Sequence, residues 1–289
     1  MKLSKLILLL LILASCSKED TPNLPGATDS ETPADPTTEN VRFGSVSTGY
    51  DLSQAFYYAE DNTTINSIRI IRDEDEVERV FTYVNNRIAK ATDTWTNDVL
   101  NQSVYQSNFS YDSDNVLVQI SSEESHNGNT ITSLGYDEQG RIKSIEFITE
   151  KELLNYDTRR TFYTFDYDEN ANVERMTLTW ETTLNGSPIS DYSSEYVYEY
   201  DESINPFSMY DHPTILTFNP THTRFWWGFI NPFSKNNISS VKVFDTNLNE
   251  LIESHQYQYQ VNSDNLPVDR YKDTSDPDHL RARFNYDYY

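Results

Sequence analysis

The chain has 289 residues, with 46 acidic against 22 basic side chains, a formal net charge of −24 and a pI near 4.4. That balance excludes nucleic acid as a partner, because phosphate contacts need lysine and arginine in excess, and it disfavours adsorption to an anionic membrane surface. With 21 tyrosines and 14 phenylalanines the chain is too aromatic for disorder, and its eight glycines are too few for a collagen-like architecture.

The first segment, residues 1–15, reads as a signal peptide. Lys2 and Lys5 precede the apolar run Leu6-Ile7-Leu8-Leu9-Leu10-Leu11-Ile12-Leu13, which is too short for a stable transmembrane helix, and Ala14-Ser15 supply small residues before a cut. Cys16 is the only cysteine, so no intrachain disulfide and no thiolate zinc site can form. Leu13-Ala14-Ser15-Cys16 resembles the lipobox of bacterial lipoproteins, and the resemblance implies that Cys16 is acylated and becomes the mature N-terminus. Ser17 in second position implies, by the same resemblance, sorting to the outer membrane. Lys18-Glu19-Asp20 is similar to the export signal of surface-exposed Bacteroidota lipoproteins, which implies a cell-surface location.

Residues 16–42 carry Pro22, Pro25, Pro33 and Pro36 among Thr, Ser, Asp and Glu, with no apolar periodicity. Such a segment cannot bury enough apolar surface to offset chain entropy and is expected to be a disordered tether. Fully stretched it reaches about 80 Å at roughly 3.3 Å per residue.

Residues 43–289 are expected to form one all-β domain, an antiparallel meander of repeated hairpins curled into a barrel-like or strongly bent sheet. The evidence is self-similarity. Phe81-Thr82-Tyr83 leads to Asn86-Arg87-Ile88, and Phe109-Ser110-Tyr111-Asp112 to Asn115-Val116. Tyr136-Asp137-Glu138-Gln139-Gly140-Arg141-Ile142 follows. Phe165-Asp166-Tyr167-Asp168 then leads to Asn172-Val173, and Tyr198-Glu199-Tyr200-Asp201 closes the clear series. Weaker copies are Phe244-Asp245 leading to Asn249, and Tyr257-Gln258-Tyr259 leading to Asn265-Leu266. An aromatic-x-aromatic pair puts two rings on one strand face, and Asp, Asn and Gly then permit a tight turn. The strand after each turn starts with an odd step: Ile88 to Ala91, Ile142 to Ile145, Val173 to Met176. A step of three breaks strict alternation and predicts a β-bulge or a turn residue there. One shared buried face requires the repeat tyrosines to be mostly core residues.

The motif at residues 136–142 resembles the YD repeat of Rhs-type proteins; the other copies lack the Gly or the Arg. The lipobox, the Pro/Thr tether, the Tyr-Asp hairpins, Asn205-Pro206-Phe207, Lys235-Asn236-Asn237-Ile238 and Asn265-Leu266-Pro267-Val268 together resemble an uncharacterised Bacteroidota surface lipoprotein family. That resemblance implies a porin-like or barrel-like antiparallel sheet and an envelope location, and no activity.

Catalytic motifs are absent: the chain has no Gly-x-Ser-x-Gly and no His-Glu-x-x-His. The five histidines lack metal-ligand spacing, so no metal and no cofactor is expected. Asp166, Asp168, Asn170 and Asn172 alternate like calcium ligands but lack the EF-hand glycine and glutamate, and read better as a turn. Asp73-Glu74-Asp75-Glu76 reads as a solvated hairpin tip. Residues 206–237 interrupt the repeat with eight aromatics and four prolines. They read either as a cap that plugs the sheet or as a binding loop. In the second case Trp226 or Trp227 stacks on a ligand, with Arg224, Asn219 and Asn231 as polar partners.

The favoured function is a non-enzymatic binding or accessory lipoprotein of the outer membrane, exposed at the cell surface. Its partner would be a glycan, a peptide or an outer-membrane protein. The alternatives are a structural component of an envelope complex and, behind it, a hydrolase.

Overall fold

The computed structural model describes residues 41–48, 52–61, 64–72, 75–96, 103–124, 128–154, 156–210, 216, 232–273 and 280–288. The signal segment, Cys16, the tether up to residue 40, and Asn219, Arg224, Trp226, Trp227 and Asn231 lie outside them, while Val41 and Arg42, read with the tether, begin the first strand. Sixteen strands follow in order: β1 (Val41–Thr48), β2 (Leu52–Tyr58), β3 (Ile65–Arg72), β4 (Asp75–Val84), β5 (Arg87–Thr96), β6 (Ser103–Tyr111), β7 (Leu117–Glu124), β8 (Gly128–Tyr136), β9 (Ile142–Leu154), β10 (Tyr156–Tyr167), β11 (Val173–Leu184), β12 (Ser187–Ile204), β13 (Asn236–Asp245), β14 (Glu250–Val261), β15 (Pro267–Lys272) and β16 (Leu280–Tyr288). One 3-10 turn, Pro206–Met209, lies between β12 and β13. Each strand pairs antiparallel with its neighbours in sequence, and β1 pairs with β16 from Val41 opposite Tyr288 to Thr48 opposite Ala282. The meander is therefore a closed barrel, which leaves no sheet edge unpaired.

The two rims differ. The turns after even-numbered strands, together with the start of β1 and the end of β16, form a near rim. The turns after odd-numbered strands form a far rim. Asp112, Asp137 and Asp168 sit at equivalent near-rim turns. The Oδ1 of each accepts hydrogen bonds from the backbone N–H two and four residues on, at 2.8–3.0 Å. Asn262 does the same for Asp264 and Leu266. The fourth residue of each turn has positive φ: Asn115 at 70°, Gly140 at 77°, Ala171 at 65° and Asn265 at 58°. Asn and Gly suit that conformation because it is strained for most L-residues. The weaker copy at Phe244-Asp245 is different in kind. It makes the β13–β14 turn, on the far rim, so it does not occupy the same slot.

Each near-rim hairpin carries one extra residue immediately after the turn. Tyr136 pairs with Ile142 while Gly135 pairs with Ser144, which leaves Lys143 bulged. The same shift skips Asn66, Ala89, Val118, Glu174, Ser239 and Val268. The bulge explains the step of three read from the sequence: it returns both apolar residues to one face. Ile65 and Ile68, Ile88 and Ala91, Leu117 and Ile120, Ile142 and Ile145, Val173 and Met176, and Ile238 and Val241 are all buried.

The residue just before each bulge, not the extra residue itself, is stitched to the next hairpin. Tyr83, Tyr111, Tyr136, Tyr167, Tyr200, Tyr259 and Tyr286 donate their hydroxyls to the carbonyls of Ile65, Ile88, Leu117, Ile142, Val173, Ile238 and Pro267. Each bond joins the first strand of one hairpin to the second strand of the hairpin before it. Those two strands are covalently connected only at the far rim, so the hydroxyl holds them together at the near one. Arginines add to the arrangement. Arg141 lies 4.3 Å from the Tyr167 ring centroid and Arg87 5.4 Å from that of Tyr111, a geometry worth about 0.5–1 kcal/mol at exposed sites. The repeat tyrosines are half-buried and packed against the core rather than fully inside it.

The inward face is apolar toward the near rim and the middle of the barrel. On β11 the buried positions are Val173, Met176, Leu178 and Thr182, and on β12 they are Ser194, Tyr196, Tyr198 and Ser203. The buried residues of strands all round the barrel form one cluster, and Tyr58 on β2 reaches Tyr210 beyond β12, so the buried face is the interior. The outward face is polar: Arg175, Thr177, Thr179 and Glu181 on β11, and Gln256, Gln258 and Gln260 on β14. Outer ion pairs cross neighbouring strands: Arg69 with Glu76, Arg175 with Glu195, Arg283 with Asp269, and Arg160 with Glu146. The acidic run at 73–76 is thus only partly a tip, because Asp75 and Glu76 belong to β4 and Glu76 is held by Arg69.

Two outcomes follow for the stitched rim. Tyr167→Phe leaves the ring in place and strips the Ile142 carbonyl of its donor, which should cost about 1–2 kcal/mol in urea unfolding. Asp137 is pushed up by burial, but hydrogen bonds from Arg141 and Gln139 outweigh this and hold its carboxyl below the ordinary value. Its stabilising contribution is therefore present above the normal carboxylate range and disappears as pH falls through the depressed folded value. Asp137→Asn should flatten the acid limb of a stability–pH curve; an unchanged limb would show that this carboxylate is not linked to folding.

Candidate functional site

The 206–237 segment leaves the barrel at the near rim, and its two described ends fold inward. Asn205 precedes the 3-10 turn and caps it, its Oδ1 accepting from the Phe207 N–H at 3.1 Å. The returning chain is clamped to the same place: the Asn205 N–H donates to the Lys235 carbonyl, and Asn205 Nδ2 donates to the Ser234 carbonyl at 2.8 Å. Asn237 Nδ2 holds the Ile204 carbonyl, and Asn236 and Asn172 exchange hydrogen bonds. Ser234 reaches the Val173 N–H and the Tyr200 hydroxyl, so it completes one of the tyrosine stitches. Phe207 is 1% exposed, Leu216 is buried, and Phe233 meets Phe165 edge-on at 5.2 Å between centroids. Tyr210 hydrogen-bonds the Tyr58 hydroxyl on β2. The described ends of the segment are therefore packed into the near rim. The expected ligand residues Arg224, Trp226, Trp227, Asn219 and Asn231 belong to its middle, outside the described residues.

Burial dominates the chemistry of this rim. It pushes the Tyr136 hydroxyl up to about 12, and it raises Tyr167, Tyr200 and Tyr259 further in the same direction. These phenols stay protonated and serve as hydrogen-bond donors, not as bases. A shallow basin of about 410 Å³ lies over Asp137, Arg141, Lys143, Asp166 and Tyr167. Its arginine is already held by Asp137 and stacked on Tyr167.

Toward the far rim the interior becomes polar. Hydroxyls pair across strands, Ser107 with Ser122 at 2.8 Å and Thr130 with Thr149 at 3.1 Å. Arg79 and Asp93 form a buried cross-strand ion pair. Lys272 Nζ lies 3.2 Å from His255 Nε2, and His255 also contacts Glu253. Among the described residues no cluster of three or more His, Cys, Asp or Glu is placed to hold a metal ion.

A second cleft, of about 400 Å³, is lined by strands β10 to β12 and the β13–β14 turn. It brings together Arg160, Phe162, Trp180, Glu181, Asp191, Tyr192 and Asn247. Trp180 pairs directly with Tyr192, their ring centroids 6.0 Å apart and their planes 31° from parallel. Sequence reading did not single out these residues as a site. Trp180 there closes the series Val173, Met176, Leu178, and its partner depends on a register the sequence does not display.

These features define a class: a closed antiparallel barrel whose wall presents polar side chains outward. The chain matches no protein-family model and no curated protein sequence. Solved structures with a similar fold include two porin-like proteins. One is a porin-like protein from Bacteroides vulgatus ATCC 8482, with 10% identity over 86% of this chain and 99% of that chain and a TM-score of 0.44. The other is a porin-like protein from Bacteroides uniformis ATCC 8492, with 9% identity over 85% and 96% and a TM-score of 0.48. Whether the wall of the present chain faces lipid or water is decided by its own outer side chains.

Phe233→Ala should destabilise the barrel by about 3–5 kcal/mol, as expected for deletion of a buried ring. Thermal unfolding would read this directly. A change below about 0.5 kcal/mol would mean that the segment's returning end is not part of the packed rim.

Proposed function

We propose that the protein is a lipid-tethered, non-enzymatic binding module of the outer membrane, displayed at the cell surface, and not a pore. The polar outer wall carries this reading. A membrane-spanning barrel presents an apolar band about 25 Å tall to lipid, and an arginine or lysine at the bilayer midplane costs about 2–4 kcal/mol. Arg160, Arg175 and Arg283, with their carboxylate partners, stand on outward positions. The exposed apolar residues, such as Val80, Val104 and Ile131, are scattered among Thr, Ser and Glu. Attachment to the membrane then falls to the lipobox cysteine, Cys16, and the acidic barrel is held off anionic headgroups by like charge.

In this reading the barrel is a rigid scaffold and binding falls to what interrupts it. The middle of the 206–237 segment, with Trp226 or Trp227 stacking and Arg224, Asn219 and Asn231 supplying polar contacts, takes a glycan, peptide or envelope protein. The neck clamped by Asn205, Ser234 and Asn237 supports it, because a loop held at its base loses less entropy on binding.

Three measurements test the proposal. Cys16→Ala should move the protein from the membrane to the soluble fraction, and intact cells carrying the wild type should lose it to added protease. Purified protein added to a planar bilayer should leave conductance unchanged. Stepwise conductance, or a Cys16→Ala variant that stays with the membrane, would overturn the reading.

A further inference from the structure

We infer that the outer surface of β10–β12, with the β13–β14 turn, is a docking site for a basic polypeptide segment that carries aliphatic side chains. It lies at the far rim, away from the 206–237 segment, and does not depend on the role proposed for that segment.

Strand alternation decides which groups share this surface. Trp180 and Tyr192 continue the inward series of Leu178 and Ser194, so their rings turn to the inner face. The outer face is built from the residues between them. Phe162 pairs with Thr179, and Thr179 with Ser193. One step toward the far rim, Arg160 pairs with Glu181, and Glu181 with Asp191. One step the other way, Glu195 pairs with Phe244, and Phe244 with Leu251. The β13–β14 turn is held against β12 by the Thr246 N–H, which donates to the Ser193 carbonyl at 3.2 Å. Asp245 shapes that turn, its Oδ1 accepting from the N–H groups of Asn247 and Leu248. Asn247 thereby borders the cleft of about 400 Å³.

Two bulges make the surface apolar. On β12 the ladder skips Ile189, since Thr182 faces Ser190 while Thr183 faces Pro188. On β14 it skips Ile252, since Val243 faces Glu253 while Phe244 faces Leu251. Bulges commonly re-aim side chains in this way. The two hairpins are neighbours in the wall, and Ile189, Leu248, Leu251 and Ile252 are each more than half exposed. The other exposed apolar side chains among the described residues are mostly valines spread around the wall. Such residues scattered singly need no explanation, whereas four aliphatic side chains gathered at one rim mark an interaction surface.

Charge selects the occupant. Glu181 and Asp191 lie side by side on the outer face, and Arg160, the cation of the cleft, is already paired with Glu146. A second copy of the chain, with net charge −24, brings the same carboxylates and is repelled. The chain's own acidic tether and an anionic lipid surface are repelled in the same way. A basic segment instead sets its lysines or arginines against Glu181 and Asp191 while its aliphatic side chains cover Phe162, Leu248 and Leu251. Protein interfaces combine an apolar centre with a polar rim in this manner, and complementary charge speeds the encounter in a salt-dependent way.

The test is calorimetric titration of the full-length mature chain with a dodecapeptide alternating leucine and lysine, and with hexalysine, which has the same charge and no aliphatic side chain. The dodecapeptide should bind saturably at a single site, and hexalysine about tenfold more weakly or not at all. Leu248→Ser combined with Leu251→Ser, both at exposed positions, should weaken dodecapeptide binding about tenfold with an unchanged melting temperature. Glu181→Gln combined with Asp191→Asn should weaken it severalfold and flatten its dependence on salt. Absence of saturable binding would overturn the inference, as would equal affinity for hexalysine or wild-type affinity in the leucine double variant. Binding lost only in Trp226→Ala or Trp227→Ala would place the peptide on the 206–237 segment and overturn the outer site. Dimers in sedimentation, or binding to phosphatidylglycerol vesicles, abolished by the leucine double variant would assign the surface to a second copy or to lipid and overturn it equally.

Discussion

A single hydrogen bond, made seven times, is the interaction on which the barrel depends. One extra residue after each near-rim turn swings a carbonyl toward the neighbouring hairpin, and a tyrosine hydroxyl from that hairpin meets it, as at Tyr136 to Leu117 (2.7 Å) and Tyr167 to Ile142 (2.8 Å). The bulge and the bond need each other. Without the bulge, Ile142 and Ile145 would lie on opposite faces of β9; without the tyrosine, the rim would be tied only by backbone pairing. Each bond is worth about 1 kcal/mol net, and it also fixes the register that decides which residues point inward. The Tyr-Asp-x-x-Gly-Arg-Ile run states the whole device. Tyr136 stitches to the previous hairpin, and Asp137 and Gly140 shape the turn. Arg141 stacks on the next tyrosine, and Ile142 supplies both a core side chain and the next acceptor.

Closure then divides the chemistry between the two surfaces. The interior holds rings and aliphatic groups toward the near rim, where Phe207 and Phe233 are buried, and grades into paired hydroxyls and a buried Arg79–Asp93 pair toward the far rim. The exterior holds arginines, glutamates, glutamines and threonines. Barrels of 16 to 18 strands are wide enough for an aqueous channel when their lumen is polar and open. Here the side chains reverse the assignment, with the apolar face turned in and the polar face turned out.

Much of this was legible in the sequence, and the limits have physical causes. The all-β class, the hairpin repeat and the bulge could be read because each is local: aromatic alternation, turn residues and a step of three all fall within ten residues. The number of strands could not, because five of the clear hairpins were recognisable while β1–β3 and β14–β16 carry weaker copies, and closure depends on β1 meeting β16 across the whole chain. Phe244-Asp245 imitated the repeat yet turned at the far rim, since an Asp-initiated turn looks the same at either end of a strand. The cleft at Trp180 was hidden for a related reason. Counting from the Asn185-Gly186 turn alone would set Trp180 opposite Asp191, and only the slip at Thr182 brings Tyr192 opposite.

The junction between β16 and β1 resembles the other junctions in one detail. Phe43 faces Tyr286 and Ser45 faces Asn285, so Gly44 occupies the place that Lys143 or Glu174 holds elsewhere. The seam is therefore a near-rim hairpin in everything but its missing turn. A chain with its ends joined and reopened at residues 138–139 would meet the same geometry at every junction, and the wall has no privileged first strand. It also follows that such a wall grows or shrinks in whole hairpins. Two strands at a time preserve antiparallel closure, the bulge and the stitch, while the girth, which scales with strand number, changes in discrete steps.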